Sequence, residues 1–137
     1  MAITLEVAER LFTQGELNEL VRLVEERETS ASALAPNIRI VVAHALALMG
    51  EWDRASHLAE LECHSPTSPI VRSRAEAVMG LVRKGEGNFS AAVHHFHAAL
   101  RLARESGDAE RAAWSQLHFF RLLIESHPID AGMAAVP

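Results

Sequence analysis

Apolar and small residues return every three or four positions along most of this chain, which is the spacing of one helix face. Val7, Ala8 and Leu11 do so, then Leu20, Val21 and Val24, then Val42, Ala43 and Leu46. Later runs are Met79 with Gly80; Ala92, Val93, Phe96, Ala99 and Leu100; and Phe119, Phe120 and Leu123. The run Ala55, Leu58, Ala59, Leu61 is weaker because its members are mostly small. No alternating clusters of β-branched and aromatic residues occur, and the chain has no Tyr. The pattern predicts helices over about 2–13, 18–28, 37–49, 53–63, 70–85, 90–105 and 109–126.

The breaks between these runs are themselves alike. Gly15-Glu16-Leu17-Asn18-Glu19-Leu20, Gly50-Glu51-Trp52-Asp53-Arg54-Ala55 and Gly87-Asn88-Phe89-Ser90-Ala91-Ala92 share one form, and His127-Pro128-Ile129-Asp130-Ala131-Gly132 is a degraded fourth. Their starts differ by 35, 37 and 40 residues, a period that signals stacked repeats. The glycine suits a left-handed cap that closes one helix. The third position (Leu17, Trp52, Phe89) is expected to be a buried plug between antiparallel helices, and the fourth (Asn18, Asp53, Ser90) the N-cap of the next helix. Two positions later Ala55 and Ala92 allow close approach, with Leu20 the exception. Residues 29–36 and 64–69, rich in Pro, Ser and Thr, read as loops between repeats.

This arrangement resembles the tetratricopeptide repeat. The third unit carries the resemblance best, through Met79-Gly80, Gly87-Asn88-Phe89, Ala92, Phe96 and Ala99. The second keeps Ala43, Gly50-Glu51-Trp52 and Ala55, and the first is looser. The resemblance implies an all-α, right-handed superhelix of about three and a half helix-turn-helix repeats, near 1–34, 36–69, 70–106 and a partial 109–137. Residues 127–137 would then be an incomplete last repeat or a disordered tail, the chain being the N-terminal piece of a longer protein. The stretch from Ala99 to Asp108 is similar to the extended repeats of bacterial regulators. In this family the first helices line a concave groove. Carried over by register, the groove residues are Leu5, Glu9 and Phe12; Asn37, Ile40, His44 and Ala47; Arg74, Ala77, Leu81 and Lys84; and Trp114, Leu117, Arg121 and Ile124, with inter-helix core as the equal alternative for residues such as Leu5, Ile40, Leu81 and Trp114. The Lys and Asn pair with which chaperone-tail-binding members hold a terminal carboxylate is missing.

Composition narrows the function. A net charge of −5 on 137 residues lacks the basic stripe of a nucleic-acid binder. No apolar run reaches the length of a membrane span, and the acidic start is no secretory signal. Cys63 is the one cysteine, which fits a reducing cytoplasm and a structural thiol rather than a nucleophile. His94 and His97 share a helix face but lack a third ligand one turn away, so they read as surface residues and no metal or cofactor is expected. The glycines Gly80, Gly85 and Gly87 lack the strand and Lys-Ser/Thr of a phosphate loop. These readings leave a non-catalytic protein- or peptide-binding module, with a homodimer through Phe119, Phe120, Leu122 and Leu123 as one mode of association. The alternatives are a small-molecule or ion sensor built around His44, Arg74, Trp114 and Arg121, and an accessory domain of an enzyme.

Overall fold

The computed structural model describes the backbone of residues 3–27, 34–63 and 68–126, and the side chains of all of these except 27, 118–120 and 122–126. Every regular element among them is an α-helix: α1 Leu5–Thr13, α2 Leu17–Arg27, α3 Pro36–Leu48, α4 Trp52–Cys63, α5 Pro69–Gly85, α6 Phe89–Glu105 and α7 Ala109–Ser126. The degraded fourth hexad and the tail after it lie outside the described residues. No helix here is long and apolar enough to cross a membrane.

Four corners share one hydrogen-bond scheme. Glu16, Glu51, Asn88 and Asp108 each donate their amide to the carbonyl five residues back (Leu11, Leu46, Arg83 and Ala103) at 2.8–3.1 Å. Each preceding glycine donates to the carbonyl three residues back. This double bond set satisfies carbonyls that the ended helix would otherwise leave orphaned. It requires a left-handed residue, and Gly50 and Gly87 supply it at φ +82° and +83°. The residue just after the glycine is already the cap. Asn88 accepts from the Ala91 amide at 3.2 Å, and Asp108 from the Arg111 amide at 2.9 Å.

Several expectations need correction on that basis. Asn18, Asp53 and Ser90 lie inside their helices, one step beyond the position that Asn88 and Asp108 show to be the cap. The corner at Gly107, which joins α6 to α7, uses the same bond set although it is not one of the hexads. Pro36 and Pro69 do not sit in linkers but open α3 and α5, where a missing N–H costs nothing; Ser68 caps the second of these by accepting from Val71. Neither Trp52 nor Phe89 is a buried plug: each is 37% exposed, and the Trp52 ring lies against Gly85 at the end of α5.

Packing runs in chain order. Each helix contacts the next, and α1 also contacts α3, as α3 does α5. The most enclosed is α3, where Ile40 to Ala47 are buried without a break. A helix surrounded by α1, α2, α4 and α5 has no solvent face, so it reads apolar all round. One core cluster extends from Ile3 through α5 and includes Leu20, Val24, Leu46, Leu58 and Val82. A second, Ala77, Ala92, Phe96 and Ala99, joins α5 to α6. Gly80 matters there: a Cβ on it would stand 2.8 Å from the ring of Phe96, which is fully enclosed. Nearby, Ser73 donates to the Ala99 carbonyl at 2.7 Å, so a buried hydroxyl finds its partner across the pair.

Two glycines thus face rings of opposite mobility. Gly80→Ala, pressing on fixed Phe96, should lose about 1–2 kcal/mol in chemical unfolding, overpacking outweighing the helix-propensity gain. Gly85→Ala meets a ring free to swing into water and should cost clearly less, with a red shift of tryptophan emission. Equal losses would refute this. Gly87→Val, strained at positive φ, should lose about 1–3 kcal/mol.

Candidate binding face

His44 sits in the middle of the enclosed helix α3 and is 2% exposed. A polar ring there needs a partner, and Arg74 from α5 provides one: its Nε–H donates to His44 Nδ1 at 3.3 Å. Since the Arg nitrogen can only donate, Nδ1 carries the lone pair and the ring proton of the neutral form lies on Nε2. Arg74 is itself 7% exposed. Its Nη1 donates to Glu9 of α1 in an ion pair, and its guanidinium carbon lies 5.0 Å from the centre of the Phe12 ring. Phe12 in turn packs on His44 with ring centres 4.6 Å apart, and Trp114 of α7 meets His44 edge-on at 5.4 Å. Arg111 stacks over Trp114 at 5.6 Å. Burial, with the charge of Arg111, lowers the pKa of the Arg74 guanidinium against the opposing pull of Glu9. It remains a cation at any ordinary pH.

Side chains from α1, α3, α5 and α7 therefore meet at one place. Of the residues expected to line a groove, Glu9, Phe12, His44, Arg74 and Trp114 are brought together. Ile40, His44, Arg74, Ala47 and Ala77 are buried, so at this level the face is filled by the protein's own side chains. Leu5, Asn37, Leu117 and Arg121 are exposed around the cluster, Leu117 at 57%. Leu81 and Lys84 are half-buried toward the far end of α5. Ile124 falls among the side chains not described, as do Phe119, Phe120, Leu122 and Leu123.

Sequence reasoning passed over three groups. Arg111 joins the cluster through Trp114. Arg39 pairs with the buried carboxylate of Glu62 and donates to the Leu34 carbonyl at 2.8 Å. His95 Nδ1 lies 2.7 Å from Glu76 Oε2 between α6 and α5. The signal for the Arg39–Glu62 pair was available, since the two stand 11 and 12 residues from the corner at Gly50. Glu76 and His95, 11 and 8 residues from Gly87, carry no such signal. Reflection about a corner names the residues that face each other in an αα-hairpin. His94 and His97 are exposed, as expected. Among the described residues no group of three or more His, Cys, Asp and Glu could hold a metal ion.

Cys63 closes the α4–α5–α6 junction. Burial first, then the charge and hydrogen bond of Glu76, push its thiol up to about 12. Burial alone would raise Glu76 too, but the hydrogen bond and charge of His95 prevail and hold its carboxyl below the ordinary range. No family model matches the chain, and neither the curated proteins nor the solved structures give a match to it.

Two outcomes follow for this junction. At pH 8 a thiol with so high a pKa exposes far less thiolate than a free cysteine, by about three orders of magnitude. Ellman's reagent should therefore react slowly with the native protein and at the ordinary rate in denaturant; fast native labelling would contradict the burial. Glu76 is depressed on folding, so its contribution is complete above the ordinary carboxyl value of 4.5 and vanishes as the pH falls through the folded value. Wild type should melt above Glu76→Gln at pH 6, and the gap should close on acidification. A gap that persists at pH 2 would refute the assignment.

Proposed function

We propose that this chain is a non-catalytic protein-interaction domain of tetratricopeptide type, three and a half repeats wound as a right-handed superhelix. In this reading it is the N-terminal regulatory or scaffold part of a larger bacterial cytoplasmic regulator. The supporting observation is the recurrence of one corner, bond for bond, between helices that pack in chain order, with α1, α3, α5 and α7 meeting on a single side. A face built by repetition offers length rather than enclosure. Its partner is a protein segment laid along the odd-numbered helices, touching Leu5, Asn37, Leu117 and Arg121 around the filled centre at Arg74. Self-association through α7 would use the same exposed Leu117.

The hollows support a segment over a small ligand. The one beside Trp114, lined by Asp108, Glu110, Arg111 and Trp114, holds about 190 Å³, below the usual lower size of about 300 Å³ for a ligand pocket. A second of about 400 Å³ lies along the α6–α7 corner, walled by Ala109, Ala112, Ala113, Arg104 and Gln116. It offers no buried polar group to orient a ligand. The Glu76–His95 pair joins α5 to α6, an arrangement that serves packing more than proton transfer.

A peptide array of random ten-residue sequences, probed with the purified chain, tests the reading. Peptides should bind at micromolar affinity, and Leu117→Glu or Arg121→Glu should weaken them about tenfold. Absence of any bound peptide, together with a melting temperature raised by a small metabolite, would replace this reading by that of a sensor.

A further inference from the structure

Four of the large apolar side chains that this protein leaves in water stand at two corners that Trp52 and Gly85 bring together. Leu48 and Met49 end α3, Trp52 begins α4, and Phe89 begins α6. The Trp52 ring, resting on Gly85, links the α3–α4 corner to the α5–α6 corner, because Gly85 ends the helix whose corner leads directly to Phe89. Leu48 is 52% exposed and the other three 36–37%. Single exposed apolar groups are ordinary, but a run of them across two adjoining corners is a patch of the kind partners cover. Met49, Trp52 and Phe89 are not among the residues of the face around Arg74, while Leu48, one turn beyond His44 on α3, stands at the edge of that face.

The charges bordering the patch are equal in number but unequally paired. Glu51 and Asp53 flank Trp52 in the chain, both are exposed, and neither enters an ion pair among the described residues. The nearby cations are engaged: Arg54 with Glu25, and Arg83 with Glu86 and, at 3.9 Å, Glu60. Lys84 too makes an interaction of its own. Negative charge in the first turn does favour the α4 dipole, which accounts for one acidic residue there. It gives neither carboxylate a counter-ion, and it does not explain why apolar groups surround them.

We propose that this corner ridge is a second docking surface, whose occupant is an amphipathic basic segment of a partner protein. Its apolar side chains seat on Leu48, Met49, Trp52 and Phe89, and its Lys or Arg side chains reach Glu51 and Asp53. Its carboxylates Glu51 and Asp53 and its anchors Trp52 and Phe89 are not residues of the peptide face around Arg74, so either surface can fail without the other. Aromatic and methionine anchors bordered by unpaired charge of one sign select partners of the opposite sign.

The probe is a twelve-residue amphipathic Leu/Lys peptide, with its Leu/Glu counterpart as control, titrated into the nitrogen-15-labelled chain. Amide shifts should concentrate at 48–54 and 85–90, and the Leu/Glu peptide should produce none there. The double variant Glu51→Lys/Asp53→Lys, altered only at exposed positions, should bind the Leu/Lys peptide about tenfold more weakly. Trp52→Ala should weaken it as well, while Arg121→Glu on the other face should leave it unchanged. Shifts centred elsewhere, equal binding of the two peptides, full affinity in the charge-reversed variant, or no binding at all would overturn the proposal.

Discussion

A guanidinium taken out of water demands partners, and Arg74 finds them on two other helices. Desolvating a cation costs several kcal/mol unless hydrogen bonds and opposite charge are in place. Glu9 supplies the charge, His44 Nδ1 accepts one N–H, and the face of Phe12 covers the plane. Meeting that demand fixes more than Arg74. It sets α1 against α5 across α3, defines which nitrogen of His44 is protonated, and turns the His44 ring toward Trp114 on α7. The hydrophobic seam supplies most of the driving force for packing, but it is tolerant of small shifts. A buried cation with directional partners is not, so it selects one arrangement of the odd-numbered helices over its near neighbours.

The consequences for function divide between two surfaces. Around Arg74 the odd-numbered helices are occupied by their own side chains, so a partner there would meet a filled centre with exposed Leu5, Leu117 and Arg121 at its border. At the α3–α4 and α5–α6 corners the opposite holds: among the described residues, apolar groups remain uncovered and two carboxylates unpaired. One side is satisfied internally, and the other is left with unmet capacity for contact. Both follow from the same construction, because a corner that ends one helix and starts another sets its plug residue at the edge of the stack. When the neighbouring helix ends in a glycine, as α5 does at Gly85, a plug as large as Trp52 rests on that end and stays partly in water.

Much of this was readable in the residues. Helix positions came through within a few residues, since three- and four-residue periodicity and the Gly corners are local signals that packing reinforces. The resemblance to a tetratricopeptide array rested on the same corners, and the all-α character follows from them. What escaped was set by contacts distant in sequence. Trp52 has the volume of a plug, but only the approach of Gly85 decides how deep it goes. Asn88 and Asp108 cap their helices because the glycine before each already ends the previous one, which moves the cap one step earlier than residue preference suggested. Register leaves Ile40 and Arg74 evenly divided between an open groove and inter-helix core. Their burial depends on how closely α1, α5 and α7 converge, and no single helix encodes that distance. The pairing of Arg39 with Glu62 was legible in principle, by reflection about the corner at Gly50.

The central claim is that Arg74 and Glu9 act as a unit that fastens α1 to the rest of the stack. A double-mutant cycle of Glu9→Gln and Arg74→Met, read by equilibrium unfolding at low salt, measures this directly. Glu9 is partly open to solvent, which moderates the expected strength, so a coupling energy of about 1 kcal/mol is predicted. Each single variant should also loosen α1 in hydrogen exchange before the remaining helices. Strict additivity of the two substitutions, with α1 exchanging no faster than in the wild type, would contradict the account.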